Sequence, residues 1–275
     1  MSKAYARFNK GDFKPLMADG LEQWLKDLIQ RIYGLQALPE GIDKEITQYF
    51  AETLVTGIVE GFGASLEEVD YDTPDYEMLD ALINHTWQFS AAKNYSQLRA
   101  LTEALQDESG KLRTFGEFRA VAEQINSDYV GAWLRAEYNF AVAGSQMSRL
   151  WLTIERDKEF FPLLKYRTAG DERVRLEHEL LDGFVRKVDD PIWDILFPPN
   201  GWGCRCDVQQ MASGAETPLD KIIIPDRMPD MFKVNLGKQR LAFPPTHPYF
   251  IGLPEDIRDQ GLNLRPDEQT DETTD

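Results

Sequence analysis

The chain has 275 residues, 42% of them hydrophobic, with 47 acidic against 30 basic side chains and a formal net charge of -17. This is enough apolar material for one large domain or two smaller ones, which excludes a wholly disordered chain. The acidic balance opposes the counterion-release term that drives most binding to phosphate backbones, so direct nucleic-acid binding is not expected.

Residues 1–13, MSKAYARFNKGDF, lack a basic segment followed by an apolar stretch and do not read as a signal peptide. Leu21, Trp24, Leu25, Leu28, Ile29 and Ile32 recur at helical spacing. After the Pro-Glu-Gly break at 39–41, Ile46, Phe50, Leu54, Ile58 and Phe62 do so again. Thr73-Pro74 reads as an N-cap with proline in the first helical position, leading into Met78, Leu79, Leu82, Thr86 and Phe89, then Leu98, Leu101 and Leu105. Past the turn at 108–110, Thr114 and Glu117 have capping-box spacing before Phe118, Val121 and Ile125. Asp128 is the expected cap of the next helix, which carries Trp133, Leu134, Tyr138, Ala141 and Met147 toward Trp151.

The texture then changes. Strand-like alternation appears in LLKYRT, and proline and glycine become frequent as far as Pro254. The expectation is an α+β protein, with a helical N-terminal half followed by a compact, loop-rich module holding a small β-sheet and a short helix at 171–181. The subdomain shift is placed near residue 152. Three regions are expected: 1–110 helical, 111–254 a module opening with the long helix, and 255–275 an acidic, disordered tail. No apolar run reaches membrane-spanning length.

Both cysteines fall in PPNGWGCRC, residues 198–206, one residue apart. That spacing suits neither a disulfide framework nor relaxed disulfide geometry, and fits a reducing cytoplasm. If CRCDV is extended, Cys204 and Cys206 share one face and Arg205 points the other way. Two thiolates suit a soft cation, with His178 as third ligand and zinc as the candidate metal, although no cofactor is fixed by the sequence. Asp171, Asp182, Asp207 and His247 compete for the fourth position, and the spacing selects none. The alternative is that the cysteines are small buried hydrophobes in a tight turn beside Trp202, with Gly201 and Gly203 supplying unusual backbone angles and His178 a hydrogen-bonded brace. A Cys-His nucleophile lacks an evident oxyanion hole. A zinc deaminase would need a His-x-Glu element and a later Pro-Cys-x-x-Cys, and both departures here, His178-Glu179-Leu180 and CRC, count against it. The acid pairs Glu67-Glu68 and Asp189-Asp190 read as solvated or capping charge. Arg167, Arg173 and Arg175 lie among acids where ion pairing is expected.

The order YRTAGDERVRLEH, LLDG, DDPIWD and PPNGWGCRCDV, preceded by WLRAEYNFAVAGSQMSRLW and followed by MFKVNLGKQRLAFPPTHPYF, resembles the phage Mu F-like minor head proteins, a head-morphogenesis family of tailed phages and prophages. The resemblance covers about residues 110–250. It carries over Asp171, Arg175, His178, Asp182, Gly183, Pro198, Pro199, Gly201, Trp202, Gly203, Cys204 and Cys206, and departs at Leu176, where proline is expected. It implies a low-copy component of the virion, made in the bacterial host cytoplasm, and no established catalytic mechanism; the preferred reading is a non-enzymatic assembly protein. Such a component would associate with the portal or other capsid proteins and act in head assembly or DNA packaging and delivery. The alternative is a zinc-dependent hydrolase built on His178, Cys204 and Cys206 with Glu179 as acid-base group.

Overall fold

The protein is described here from a computed structural model, which places Phe13 and residues 20–266. The reading of residues 1–13 as lacking a signal peptide falls almost wholly outside the described residues, as does most of the acidic stretch after Arg265. The chain is α+β, as expected: among the described residues five α-helices come first, then a small antiparallel sheet with long loops. No described helix is long and apolar enough to cross a membrane.

The helices are α1 (Leu21–Leu35), α2 (Lys44–Phe62), α3 (Pro74–Glu103), α4 (Phe115–Val130) and α5 (Ala132–Asp157). Their boundaries follow local chemistry. The Asp43 carboxylate accepts from the Ile46 amide at the start of α2, and Thr73 Oγ1 accepts from the Tyr76 amide ahead of Pro74. Thr114 and Glu117 form the reciprocal capping box of α4. The five apolar residues expected on α2, Ile46 through Phe62, are all buried. On α4 the expected face is displaced: Val121 is 37% exposed, and Ala122 and Tyr129 bury in its stead beside Phe118.

Asp128 does not cap α5. It lies inside α4, where it accepts from the side-chain amide of Gln124, and the break falls at Gly131, which caps α5 without a side-chain bond. A Cβ at 131 would lie 2.6 Å from the Ser127 carbonyl, so only glycine fits this sharp change of direction. The α2–α5 crossing is similarly close. A Cβ on Gly61 would collide with the Val142 carbonyl oxygen, and one on Gly57 would meet the Tyr138 ring at 3.2 Å.

The sheet holds β1 (Leu163–Arg167), β2 (Val185–Lys187) and β3 (Asp207–Met211) in the order β2-β1-β3, all antiparallel. Between strands lie single helical turns, α6 (Leu176–Glu179) and α7 (Trp193–Leu196). The helix expected over 171–181 is thus reduced to one turn. The chain then returns through α8 (Leu236–Gln239) to α9 (Glu255–Leu262). The tail expected from residue 255 therefore opens with a helix, which buries Ile257 and Gly261 and packs on α3. Glu255 and Asp256 stand in its first turn, where negative charge is favourable.

Two apolar clusters organise the described residues. The larger joins α1 to α4 and the first half of α5 with Phe232, Leu236 and Phe243 from the returning chain, and so draws on both sides of residue 110. At its centre Phe89 and Phe243 stack with ring centroids 3.8 Å apart. The smaller gathers Met147, Trp151 and Ile154 from the second half of α5 with Leu164, Tyr166, Phe184, Trp193, Cys204 and Cys206. The change of core falls inside α5, between Ala141 and Met147, because one long helix presents its two halves to different partners.

Candidate metal centre

Strand β1 is the floor of the site. Tyr166 is fully buried, stacks on Phe184, and donates its hydroxyl to Asn200 Oδ1 at 3.1 Å. Across the sheet, Tyr166 faces Val208 and Arg167 faces Asp207, whose carboxylate receives Nε and a terminal guanidinium nitrogen of Arg167 at 3.0 and 3.2 Å. Burial raises the Asp207 pKa against that pairing.

After β1 the chain loops out. Asp182 ties the loop back by accepting from the Thr168 amide and hydroxyl at 2.7 and 3.1 Å. This leaves α6 over the end of the sheet with His178 buried on its inner side. Leu176 is the first residue of α6 and 78% exposed, so the site where the resemblance predicts proline is a first helical position, which tolerates either residue.

From the other direction, Pro198-Pro199, joined by a cis peptide, and Asn200 are buried between the two clusters. The Asn200 side-chain nitrogen faces the carbonyls of Ile195, Phe197 and Phe232, each at 3.4 Å. Trp202 packs against Phe140, Phe232 and His247. Gly203 then adopts φ +66, the left-handed region, which turns the chain so that Cys204 enters the core. Cys204 and Cys206 immediately precede β3. Both are buried, and Arg205 between them points outward to pair with Asp171. The alternation expected of CRCDV holds.

His178 and the cysteines meet. His178 Nδ1 lies 3.7 Å from Cys204 Sγ and 3.5 Å from Cys206 Sγ. Among the described residues they form the cluster of potential metal donors, with ligand atoms within 4.8 Å of one another. A bond from Cys206 draws Cys204 well below the ordinary thiol range, with His178 acting in the same sense, while the same contact and burial hold Cys206 above it.

None of the four candidates for a fourth donor joins the trio. Asp171 is held by Arg205 and Arg173, and hydrogen bonding from Arg205 keeps its carboxyl well below the usual range. Asp182 and Asp207 are engaged as described. His247 lies on the other cluster, its Nδ1 accepting from the Tyr249 amide at 3.2 Å and its ring against Phe89 and Tyr249. Arg173, Arg175 and Arg205, with the trio, line a cavity of about 90 Å³. Glu179 is exposed and does not line that cavity, which leaves the hydrolase alternative without its acid-base group.

The roles of Tyr166 and Asn200 were not read from the sequence. The asparagine in the PPNG turn was the available signal, but a turn asparagine ordinarily bonds its own backbone, and its buried partner lies 34 residues away.

Comparison with known proteins bears on this same stretch. The family model described as Phage Mu protein F like protein matches residues 98–209, from the end of α3 into β3. The chain is 31% identical over 110 residues to the Mu-like prophage FluMu F protein of Haemophilus influenzae, covering 40% of this chain and 23% of that protein. It is 38% identical over 55 residues to the putative capsid assembly protein F of Escherichia phage Mu, covering 20% of this chain and 12% of that one. The chain thus spans under a quarter of the length of the curated relatives it matches. No solved structure matches. Residues 98–209, which hold His178, Cys204 and Cys206, are thus the part of the chain that is similar to the phage Mu F-like proteins.

Proposed function

We propose that this chain is a component of phage or prophage head assembly that works by contact with other capsid proteins, the portal among them, and not by catalysis. The observation that carries the reading is the Mu F-like match, which includes the whole segment that places His178, Cys204 and Cys206. The geometry agrees with it. The buried trio sits where the smaller cluster meets the end of the sheet, and the turn PPNGWG is spent on packing: Asn200 and Trp202 join the returning chain to α5. A net charge of -17 favours contact through proteins over direct contact with DNA. Synthesis in the bacterial host cytoplasm, followed by incorporation into the virion at low copy number beside the portal, completes the proposal.

The test uses the full chain, because removing residues 1–110 would strip α1 to α3 from the core they share with α5. Heads purified after induction of the parent element are analysed by mass spectrometry, and the tagged chain is incubated with the assembled portal ring. Recovery in heads and retention on the ring are expected. A chain absent from heads and unretained by the ring refutes the role.

A further inference from the structure

We propose that His178, Cys204 and Cys206 bind one zinc ion through three protein ligands, leaving a fourth coordination position that opens into the arginine-lined cavity and takes a carboxylate. This inference concerns binding alone and stands whether or not the chain assembles into heads.

The distances support it. Zinc bonds of about 2.3 Å to sulfur and about 2.0 Å to nitrogen, at a tetrahedral angle, place nitrogen and sulfur roughly 3.5 Å apart. The observed separations are 3.5 and 3.7 Å, both to the same nitrogen, His178 Nδ1. A neutral imidazole nitrogen has one lone pair and accepts from one S–H donor, yet both sulfurs stand close to it, an arrangement that one shared cation would account for. Two cysteines and a histidine are a soft donor set suited to zinc. The bound form holds both cysteines as thiolates, whose two negative charges balance that of the ion, with any remaining thiol proton passing to solvent.

The fourth vertex follows from what surrounds the trio. Asp171, Asp182 and Asp207 are each held by other partners, and His247 belongs to the other cluster. The three ligand residues line one cavity together with Arg173, Arg175 and Arg205. Its volume of about 90 Å³ exceeds that of one water, whose share of the liquid is about 30 Å³. Asp171 answers Arg205 and Arg173, whereas Arg175 reaches the Trp202 carbonyl, so the lining keeps an excess of positive charge. A carboxylate entering there meets guanidinium groups before it meets the metal.

The full-length protein, loaded with zinc and dialysed, is analysed for metal alongside Cys204→Ser, Cys206→Ser and His178→Gln. One zinc per wild-type chain and near-complete loss in each variant are expected. An unmetallated wild-type protein overturns the site. Because a variant could lose metal by failing to fold, the wild-type protein is also loaded with cobalt(II). Thiolate-to-cobalt charge transfer and the intense visible bands of a tetrahedral site are expected, shifting when acetate is added. Arg173→Gln, an exposed position outside the ligand set, should raise the acetate concentration for half-shift several-fold. A cobalt spectrum indifferent to acetate overturns the open position, and an unchanged half-shift in Arg173→Gln overturns the part given to the arginines.

Discussion

Lys93 of α3 and Glu137 of α5 form an ion pair inside the larger cluster, at 0% and 3% exposure, with Nζ 2.8 Å from Oε2. The Tyr249 hydroxyl donates to the other carboxylate oxygen at 2.9 Å, and the ammonium lies 4.9 to 5.4 Å from the ring centres of Phe50, Tyr129 and Tyr249. Burial is the main influence on both groups and pushes each toward its neutral form, against the pairing. Lys93→Met would leave the carboxylate buried with a single donor and is expected to cost about 3–5 kcal/mol. Glu137→Gln should cost a similar amount by stranding the ammonium. In the double variant the thioether keeps the apolar contacts of the lysine stem, and the amide oxygen brought in by Glu137→Gln still accepts from Tyr249. Most of the loss should then be recovered, to within about 1–2 kcal/mol of wild type. Urea unfolding of the four proteins at one pH gives the coupling energy directly. Additive losses in the double variant, or a Lys93→Met protein as stable as wild type, would refute the argument that the two charges require one another.

Acid should destabilise the fold through His85 and His247, which burial, with Arg258 near the first and Lys93 near the second, lowers to about 4. Each uses Nδ1 as an acceptor, His85 from the amides of Ala242 and Phe243 and His247 from Tyr249, so each must stay neutral in the folded state. The unfolded chain binds more protons between about pH 6.5 and 4, so this contribution is present above that window and lost as pH falls through it, about 2 kcal/mol per histidine from pH 7 to 5. Urea midpoints should fall accordingly and the slope should flatten in His85→Gln and His247→Gln; an unchanged slope in both would contradict the assignment. Gly61→Ala should lower stability by about 1–3 kcal/mol through the clash with the Val142 carbonyl, measured by thermal unfolding, and a neutral effect would show that α2 and α5 do not cross so closely.

Several features were legible because their causes are local. The spacing of Ile46, Phe50, Leu54, Ile58 and Phe62 marked a buried helical face, and Thr73-Pro74 and Thr114-Glu117 marked helix starts, since caps and periodicity act within a turn or two. Alternation along CRC put both sulfurs on one face. Where neighbours compete, local rules chose badly: Asp128 has the chemistry of a cap, but its carboxylate accepts from Gln124 inside α4, and the break falls at Gly131, where a Cβ would meet the Ser127 carbonyl of the preceding turn. Val121 and Ala122 are likewise separated only by what α4 packs against.

By itself the sequence determined the helix-then-sheet order, the placement of the two thiols, and the similarity of residues 98–209 to the phage Mu F-like proteins. Tertiary structure decided that His178, 26 and 28 residues before the cysteines, meets them, and that Asp171, Asp182, Asp207 and His247 turn to other partners. It also decided that α5 serves two cores and that residues 255–262 fold back onto α3. Periodicity and capping depend on residues a few positions apart and can be read along the chain. Convergence across tens of residues depends on how packed helices and loops exclude one another in space, and no spacing rule records that.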